Sequence, residues 1–192
     1  MSNLNLNLLL FLTLLPSLVF AQFTTINPDT VCYQTNGSIY NVTQTLGLTY
    51  TWTVIPPGIL VSGQNTNQIQ VDWSGANPGL IINAIQVQAI NSIGCVSPLV
   101  SLDVFIYNVD PTLISLVDMC ESSNCVALSA IPAGGTWSGP GVDAVNNEFC
   151  PTNSGPGTFN LTYTYTNAGC VFTEVTSVNV LPQPTLLPIE HN

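Results

Sequence analysis

The sequence of 192 residues has no lysine, no arginine and a single histidine, set against ten carboxylates, for a formal net charge of −10. A chain of ordinary composition would carry roughly 20 basic side chains at this length, since about a quarter of residues are usually charged. Each kind of chemistry that needs such a group is thereby excluded. No electrostatic footprint for nucleic acid exists, because phosphates are neutralised by Lys and Arg. A Walker-type phosphate loop, a Schiff-base lysine, a guanidinium clamp on a carboxylate, a polybasic membrane patch and a lysine isopeptide cross-link are equally ruled out. His191, in the last two residues, is the one imidazole, so a nucleophilic triad has no positioned base.

Long apolar runs are scarce too. Leu8–Leu15 is too short to span a bilayer comfortably and Pro16 breaks it, so Met1–Ala21 reads as a secretory signal peptide, with Val19-Phe20-Ala21 as cleavage site and Gln22 as mature start. An uncleaved anchor is the alternative, and no membrane insertion is expected after cleavage. What is abundant is neutral: 46% apolar residues, with Asn, Thr, Ser and Gln making up most of the polar remainder. Thr, Val, Ile and Tyr outweigh helix formers, and 14 Gly with 14 Pro supply turns. An ordered, acidic, all-β extracellular chain is the class this composition allows. Six cysteines in an exported chain imply disulfides. Zinc is disfavoured, because only Cys120 and Cys125 have ligand-like spacing while Cys150 and Cys170 stand alone.

Short alternating runs bounded by turn residues fill the remainder, the pattern of a sandwich. Strands are expected near Phe23–Ile26, Ser38–Val42, Tyr50–Val54, Ile59–Ser62, Ile69–Trp73, Ala84–Ala89 and Leu102–Tyr107, then near Leu113–Val117, Val126–Ser129, Thr136–Ser138, Glu148–Cys150, Thr158–Tyr165 and Val171–Val180. Asn91-Ser92-Ile93-Gly94-Cys95 and Thr166-Asn167-Ala168-Gly169-Cys170 sit alike before the last strand of each half, with Cys32 or Cys120 upstream. A degenerate internal duplication follows. The expected division is residues 22–108 and 109–182 as two immunoglobulin-like sandwiches, with 183–192 as a Pro-rich tail or truncated linker.

In the first half, Val31-Cys32, Tyr50-Thr51-Trp52-Thr53-Val54, Val61–Thr66, Ile69-Gln70-Val71-Asp72-Trp73 and Gly94-Cys95 resemble the PKD-like domain pattern. In the second, Gly134-Gly135-Thr136-Trp137-Ser138-Gly139-Pro140-Gly141-Val142, Gly155–Thr158, Leu161–Tyr165 and Gly169-Cys170 resemble the Ig-like repeat found beside it in surface proteins of Bacteroidetes-type bacteria. The resemblance covers most of residues 26–182. It implies a secreted or surface-displayed adhesin or spacer module without a shared ligand, and it reads Asp29-Thr30-Val31 as an O-glycosylation motif centred on Thr30. Under that bacterial resemblance, the sequons at Asn36, Asn41 and Asn160 are chance matches in an Asn- and Thr-rich chain. The two cysteines Cys125 and Cys150 are extra to the usual pattern.

Spacing pairs Cys32 with Cys95 and Cys120 with Cys170, but topology objects. The loops before the second and last strands of a sandwich lie at opposite poles, ~17–20 Å apart, whereas disulfide Cα atoms must approach to about 4.4–6.8 Å. Cys125–Cys150 or Cys120–Cys150 is geometrically safest, and an interdomain Cys32–Cys170 bond stands level with pairing inside each domain.

Each remaining group with chemistry has a bland reading. Carboxylate pairs permit glycoside hydrolysis, but nothing marks two of them as facing one cleft, so no catalysis is expected. Asp110, Asp118 and Glu121 border the linker and are the calcium candidates, against the reading of solvated loop carboxylates. Trp73, followed by Ser74-Gly75, is the candidate glycan platform, while Trp52 and Trp137 read as core. No cofactor is expected. The partner is an unidentified surface protein or polysaccharide, or a second copy, since edge strands here lack their usual lysine guard. Three functions remain: adhesin-like spacer, self-associating filament or sheath subunit, and carbohydrate-binding accessory module.

Overall fold

The structure, a computed structural model, describes residues 23–24, 27–188 and 191. The signal-peptide reading of Met1–Ala21 lies outside the described residues. Strands dominate, as the β-branched and aromatic composition requires. In the first half they are β1 (Phe23–Thr24), β2 (Asp29–Cys32), β3 (Ser38–Asn41), β4 (Leu48–Val54), β5 (Ile59–Ser62), β6 (Gln68–Asp72), β7 (Gly79–Asn91) and β8 (Val100–Tyr107). One sheet runs β1-β8-β7-β4 with β2 also on β8, and the other runs β3-β6-β5. Tyr50 and Trp52 point inward from β4, Ile69 and Val71 from β6, Val104 and Ile106 from β8, and their apolar faces meet in one core. Alternation with threonine and glutamine on the outer faces is the reason a two-layer arrangement buries them.

Strand β2 was not expected, since Asp29-Thr30-Val31-Cys32 buries a single apolar side chain, Val31, and shows no apolar alternation. It runs parallel to β8, with Asp29 opposite Val104 and Cys32 opposite Tyr107. The first part of the chain therefore lies beside the last strand of the half and points the same way.

The second half has β9 (Thr112–Leu113), β10 (Met119–Cys120), β11 (Val126–Ala127), β12 (Ala130–Ile131), β13 (Thr136–Ser138), β14 (Val142–Asp143), β15 (Glu148–Phe149), the one-turn helix α1 (Pro151–Ser154), β16 (Gly157–Asn167) and β17 (Cys170–Leu181). Its main sheet is β10-β17-β16-β13, faced by the small sheets β11-β15-β14 and β12-β9. Here too the early strand is parallel to the last one, with Cys120 opposite Leu181. Leu161 and Tyr163 of β16, Val178 and Val180 of β17, Trp137 and Phe149 form a second core.

Tyrosine hydroxyls tie loops to each core. In the first half the Tyr50 hydroxyl accepts from the Thr45 N–H (2.8 Å) and donates to the Thr43 carbonyl (3.1 Å). In the second the Tyr163 hydroxyl accepts from the Gly135 N–H (2.7 Å) and donates to the Pro132 carbonyl (2.6 Å). That contact explains the Gly-Gly-Thr-Trp stretch, because a Cβ on Gly135 would lie 2.6 Å from the same hydroxyl. Trp137, two residues on, packs against the Tyr163 ring at 5.1 Å between centroids.

Among the strands β4 pairs with β7, and its other edge carries only a single bridge, Tyr50 to Asn65, which leaves most of it open to addition of a foreign strand. Gln64 closes it. The Trp52 N–H donates to Gln64 Oε1 (2.8 Å), Gln64 Nε2 donates to the Trp52 carbonyl (2.9 Å), and the Trp52 indole N–H donates to the Thr66 carbonyl (2.8 Å). A side-chain amide thus imitates one residue of a neighbouring strand. Gln64→Ala removes both amide bonds and should lower unfolding stability by about 1–2 kcal/mol, read as a lower urea midpoint at unchanged slope.

Candidate functional site: the junction between the two halves

The residues that could act together lie where the halves meet. The β16–β17 hairpin closes with Asn167 opposite Cys170 and two intervening residues at positive φ, Ala168 (50°) and Gly169 (79°). This is the mirror-image turn whose twist matches that of paired strands. It presents Cys170 at the pole of the second half that faces the first. On the first half, parallel pairing places Cys32 beside Tyr107, the final residue of β8, and the Tyr33 N–H donates to the Tyr107 carbonyl (2.8 Å). Cys32 and Cys170 meet there in a disulfide with Cα atoms 5.4 Å apart. The Tyr107 ring packs edge-on against Phe172 at 5.6 Å, and Asn167 Nδ2 donates to the Tyr107 hydroxyl (2.6 Å). Cys170 is buried at 1% exposure, while Cys32 is half-buried.

The second disulfide joins Cys125 to Cys150, which flank the paired strands β11 and β15. Cys95 and Cys120 are free and exposed. The same registers show why neither Cys32–Cys95 nor Cys120–Cys170 forms. Cys95 precedes β8 while Cys32 sits at its end, some 20 Å or more away at ~3.3 Å per residue, and β17 separates Cys170 from Cys120 by still more.

Cys125, Glu148 and Cys150 are the one cluster among the described residues with the donor types of a metal site, but the disulfide consumes both thiolates. Asp110, Asp118 and Glu121 do not come together. Asp118 and Glu121 flank β10 at the end of β17, where Asn179 Nδ2 donates to Asp118 Oδ2 (3.4 Å), whereas Asp110 lines a shallow groove with Glu174 and Thr176 further back along that strand.

Trp73 is not the expected exposed platform, because its side chain is 0% exposed. The chain turns sharply after it, with the Ala76 N–H donating to its carbonyl (2.8 Å), and the indole N–H donates inward to the Tyr40 hydroxyl (3.0 Å). Gly58 lies against the ring, where a Cβ would come 2.7 Å from Cη2. Trp52 and Trp137 are buried as well, so no tryptophan offers a sugar-stacking face. Thr30 is exposed on β2, an accessible place for a modification.

The carboxylates with resolved roles act as backbone caps. Asp103 Oδ1 accepts from the Asn83 N–H (2.6 Å) where the β7–β8 register shifts. The Ser74 N–H and side chain hold the Asp72 carboxyl below its ordinary range. Asn146, through its side chain and backbone, and the Val145 N–H do the same for Asp143. A general acid needs the opposite shift. Burial, and next the neighbouring Asp29, push the Tyr40 hydroxyl far above its usual range, which keeps it a neutral core donor. The cavity of about 160 Å³ between the first two sheets, walled by Tyr40, Trp52, Ile85 and Val87 among others, contains no carboxylate and no thiol.

Residues 20–104 match the model of the PKD-like domain family. No curated protein matches the chain in sequence. Among solved structures, the chain is similar to Drosophila OTK extracellular domains 3–5, at 13% identity and a TM-score of 0.33, over 83% of this chain and 60% of that one. It is similar to Drosophila N-cadherin EC1-4 at 12% identity and 0.35, over 82% and 48% of the two chains. Human protocadherin-24 EC1-2 gives 11% identity and 0.33, over 83% and 97%. The chain thus spans about three fifths of the first of these, and likeness of this degree carries nothing about ligand. The PKD-like match and two disulfides fit an extracellular β-sandwich module. No described helix is long and apolar enough to cross a membrane.

Two measurements follow from this geometry. Ala168→Asn should stabilise the hairpin by about 0.5–1 kcal/mol, because asparagine tolerates the left-handed conformation that costs alanine roughly that much, read as a higher melting temperature. Acid has a two-part effect. Groups with depressed folded pKa, Asp72 and Asp143, favour the fold above their unfolded value near 3.9 and lose that effect as pH falls through their folded values. With no basic partners to lose, protonation of the other carboxylates relieves repulsion first. Melting temperature should hold or rise from neutrality to about pH 4 and fall below it; a steep fall already between pH 6 and pH 4 would mean bound carboxylates, calcium being the first ion to test.

Proposed function

We propose that this protein is a non-enzymatic, secreted or cell-surface spacer of the adhesin type, whose work is to hold two sandwich domains in a fixed relation. The observation that carries this reading is the Cys32–Cys170 bond, which locks the trailing pole of one half to the leading pole of the next. The signal-like amino terminus, the bacterial surface-repeat resemblance and the PKD-like match support export and display. The absence of Lys and Arg supports it too, because such a chain offers no trypsin-like cleavage site outside the cell. Contacts with a surface protein or polysaccharide would be made by loops and strand faces, since among the described residues the cavity between the first two sheets is walled without carboxylate or thiol. A second reading, a self-associating filament subunit, is favoured by the two exposed thiols, Cys95 and Cys120.

Small-angle scattering of the mature chain tests the spacer. A compact particle of about 170 residues has a radius of gyration near 15–16 Å. A locked pair of sandwiches should exceed this clearly, and Cys32→Ser/Cys170→Ser should broaden the distance distribution while each core stays folded by circular dichroism. A compact particle, or a double variant with an unchanged distribution, would overturn the reading.

A further inference from the structure

Cys95 and Cys120 occupy the positions that Cys170 and Cys32 occupy at the junction. Strand β10 lies parallel to β17 as β2 lies parallel to β8, with Cys120 opposite Leu181 where Cys32 is opposite Tyr107. The backbone bonds repeat one for one. The Glu121 N–H donates to the Leu181 carbonyl (2.9 Å) as Tyr33 does to Tyr107 (2.8 Å), and the Ser123 N–H donates to the Cys120 carbonyl (2.9 Å) as Thr35 does to Cys32 (3.1 Å). At the other end, Cys95 faces Asn91 across the β7–β8 turn, the Asn91 N–H donating to its carbonyl (3.1 Å), as Cys170 faces Asn167 across the β16–β17 turn. Asn91 Oδ1 also accepts from the Cys95 N–H (2.8 Å) and fixes the turn.

The chain therefore carries one assembled joint and two unassembled halves of the same joint, at the two poles that the existing bond does not connect. Apolar surface accompanies both. Ile93 and Val96 are largely exposed around Cys95, next to an open, mostly apolar groove walled by Val96, Pro98 and Leu99, and Leu181 is exposed beside Cys120. Leu181 stands where the assembled joint has Tyr107, whereas Ser97 stands where it has Phe172, with Val96 beside it.

We propose that Cys120 of one copy forms a disulfide with Cys95 of a second copy, so that the molecules link head to tail into a covalent filament. This deepens the spacer reading and rests on it, since it repeats the internal joint between molecules. The step joins two sulfurs and releases two protons and two electrons, which an external disulfide of the thiol–disulfide exchange type takes up, becoming two thiols. The partner is a second copy because the complementary thiol sits, free, on this same chain. A head-to-tail contact of this kind does not close on itself, which makes an open filament the expected product. Repulsion between copies each bearing a charge of −10 opposes loose association and leaves the covalent bond as the link that holds.

The test oxidises the mature chain with glutathione disulfide at about 0.15 M salt, where the Debye length is about 8 Å, and reads non-reducing gels. Wild type should give a ladder that collapses on reduction. Cys95→Ser alone and Cys120→Ser alone should give no ladder, whereas an equal mixture of the two should give a dimer and nothing larger. Peptide mapping of that dimer should link Cys120 to Cys95. Efficient dimers from either single variant, or a map linking like with like, would overturn the proposal. So would a wild-type chain that stays monomeric under oxidation, or native material in which Cys120 is bonded to a residue other than Cys95. Each of those results leaves the scattering behaviour of the monomer, and with it the spacer reading, standing on its own.

Discussion

In each half, an early short strand lies parallel to the last long one, β2 along β8 and β10 along β17. Much of the molecule depends on that pairing. An antiparallel placement would bring the first cysteine of each half toward the turn before the last strand, within reach of a bond inside its own half. Parallel placement carries it to the opposite pole, where the chain leaves. The pole where one half ends then bears Cys32, the pole where the next begins bears Cys170, and the bond between them becomes a joint between the two halves rather than a staple within one. A local choice of strand direction thus decides whether this cysteine pattern stabilises units or connects them.

Without lysine or arginine, the fold relies on neutral hydrogen bonding for tasks that ion pairs often share. Gln64 guards the β4 edge, the Tyr50 and Tyr163 hydroxyls pin loops, and Asn91 orders its own turn. Among the described residues no buried side-chain nitrogen or oxygen lacks a partner. Such bonds are little affected by salt, unlike surface ion pairs, which screening weakens within a Debye length. For a protein exposed to variable ionic conditions, this is a stable way to be acidic.

The fold class was legible because long strands announce themselves. Tyr50, Trp52 and Val54, or Leu161, Tyr163 and Tyr165, alternate over enough residues to give a period. Two-residue strands such as β12 and β14 have none, and β7 was expected shorter because the kink at Asn83 interrupts its alternation. Trp73 was misplaced for another reason. Ser74-Gly75 reads as a surface turn, which it is, yet the indole folds back to Tyr40, a residue 33 positions earlier. Gln64 fell inside the Val61–Thr66 stretch that carried the PKD-like resemblance, but its clamp on Trp52 was not legible, since one glutamine among Asn and Thr in a polar loop does not show which strand its amide will meet. At the junction, sequence spacing kept several pairings open, and only strand direction chooses among them.

The Cys32–Cys170 bond also closes a ring of chain around most of both cores, with a sequence separation of 138 residues. Tension applied to the two ends of such a molecule travels through the sulfurs and bypasses everything the ring encloses. At ~3.5 Å per extended residue, some ~480 Å of contour length is held out of reach. A reductant would release that hidden length, so the redox state of one bond sets how far the molecule can be drawn out before it breaks.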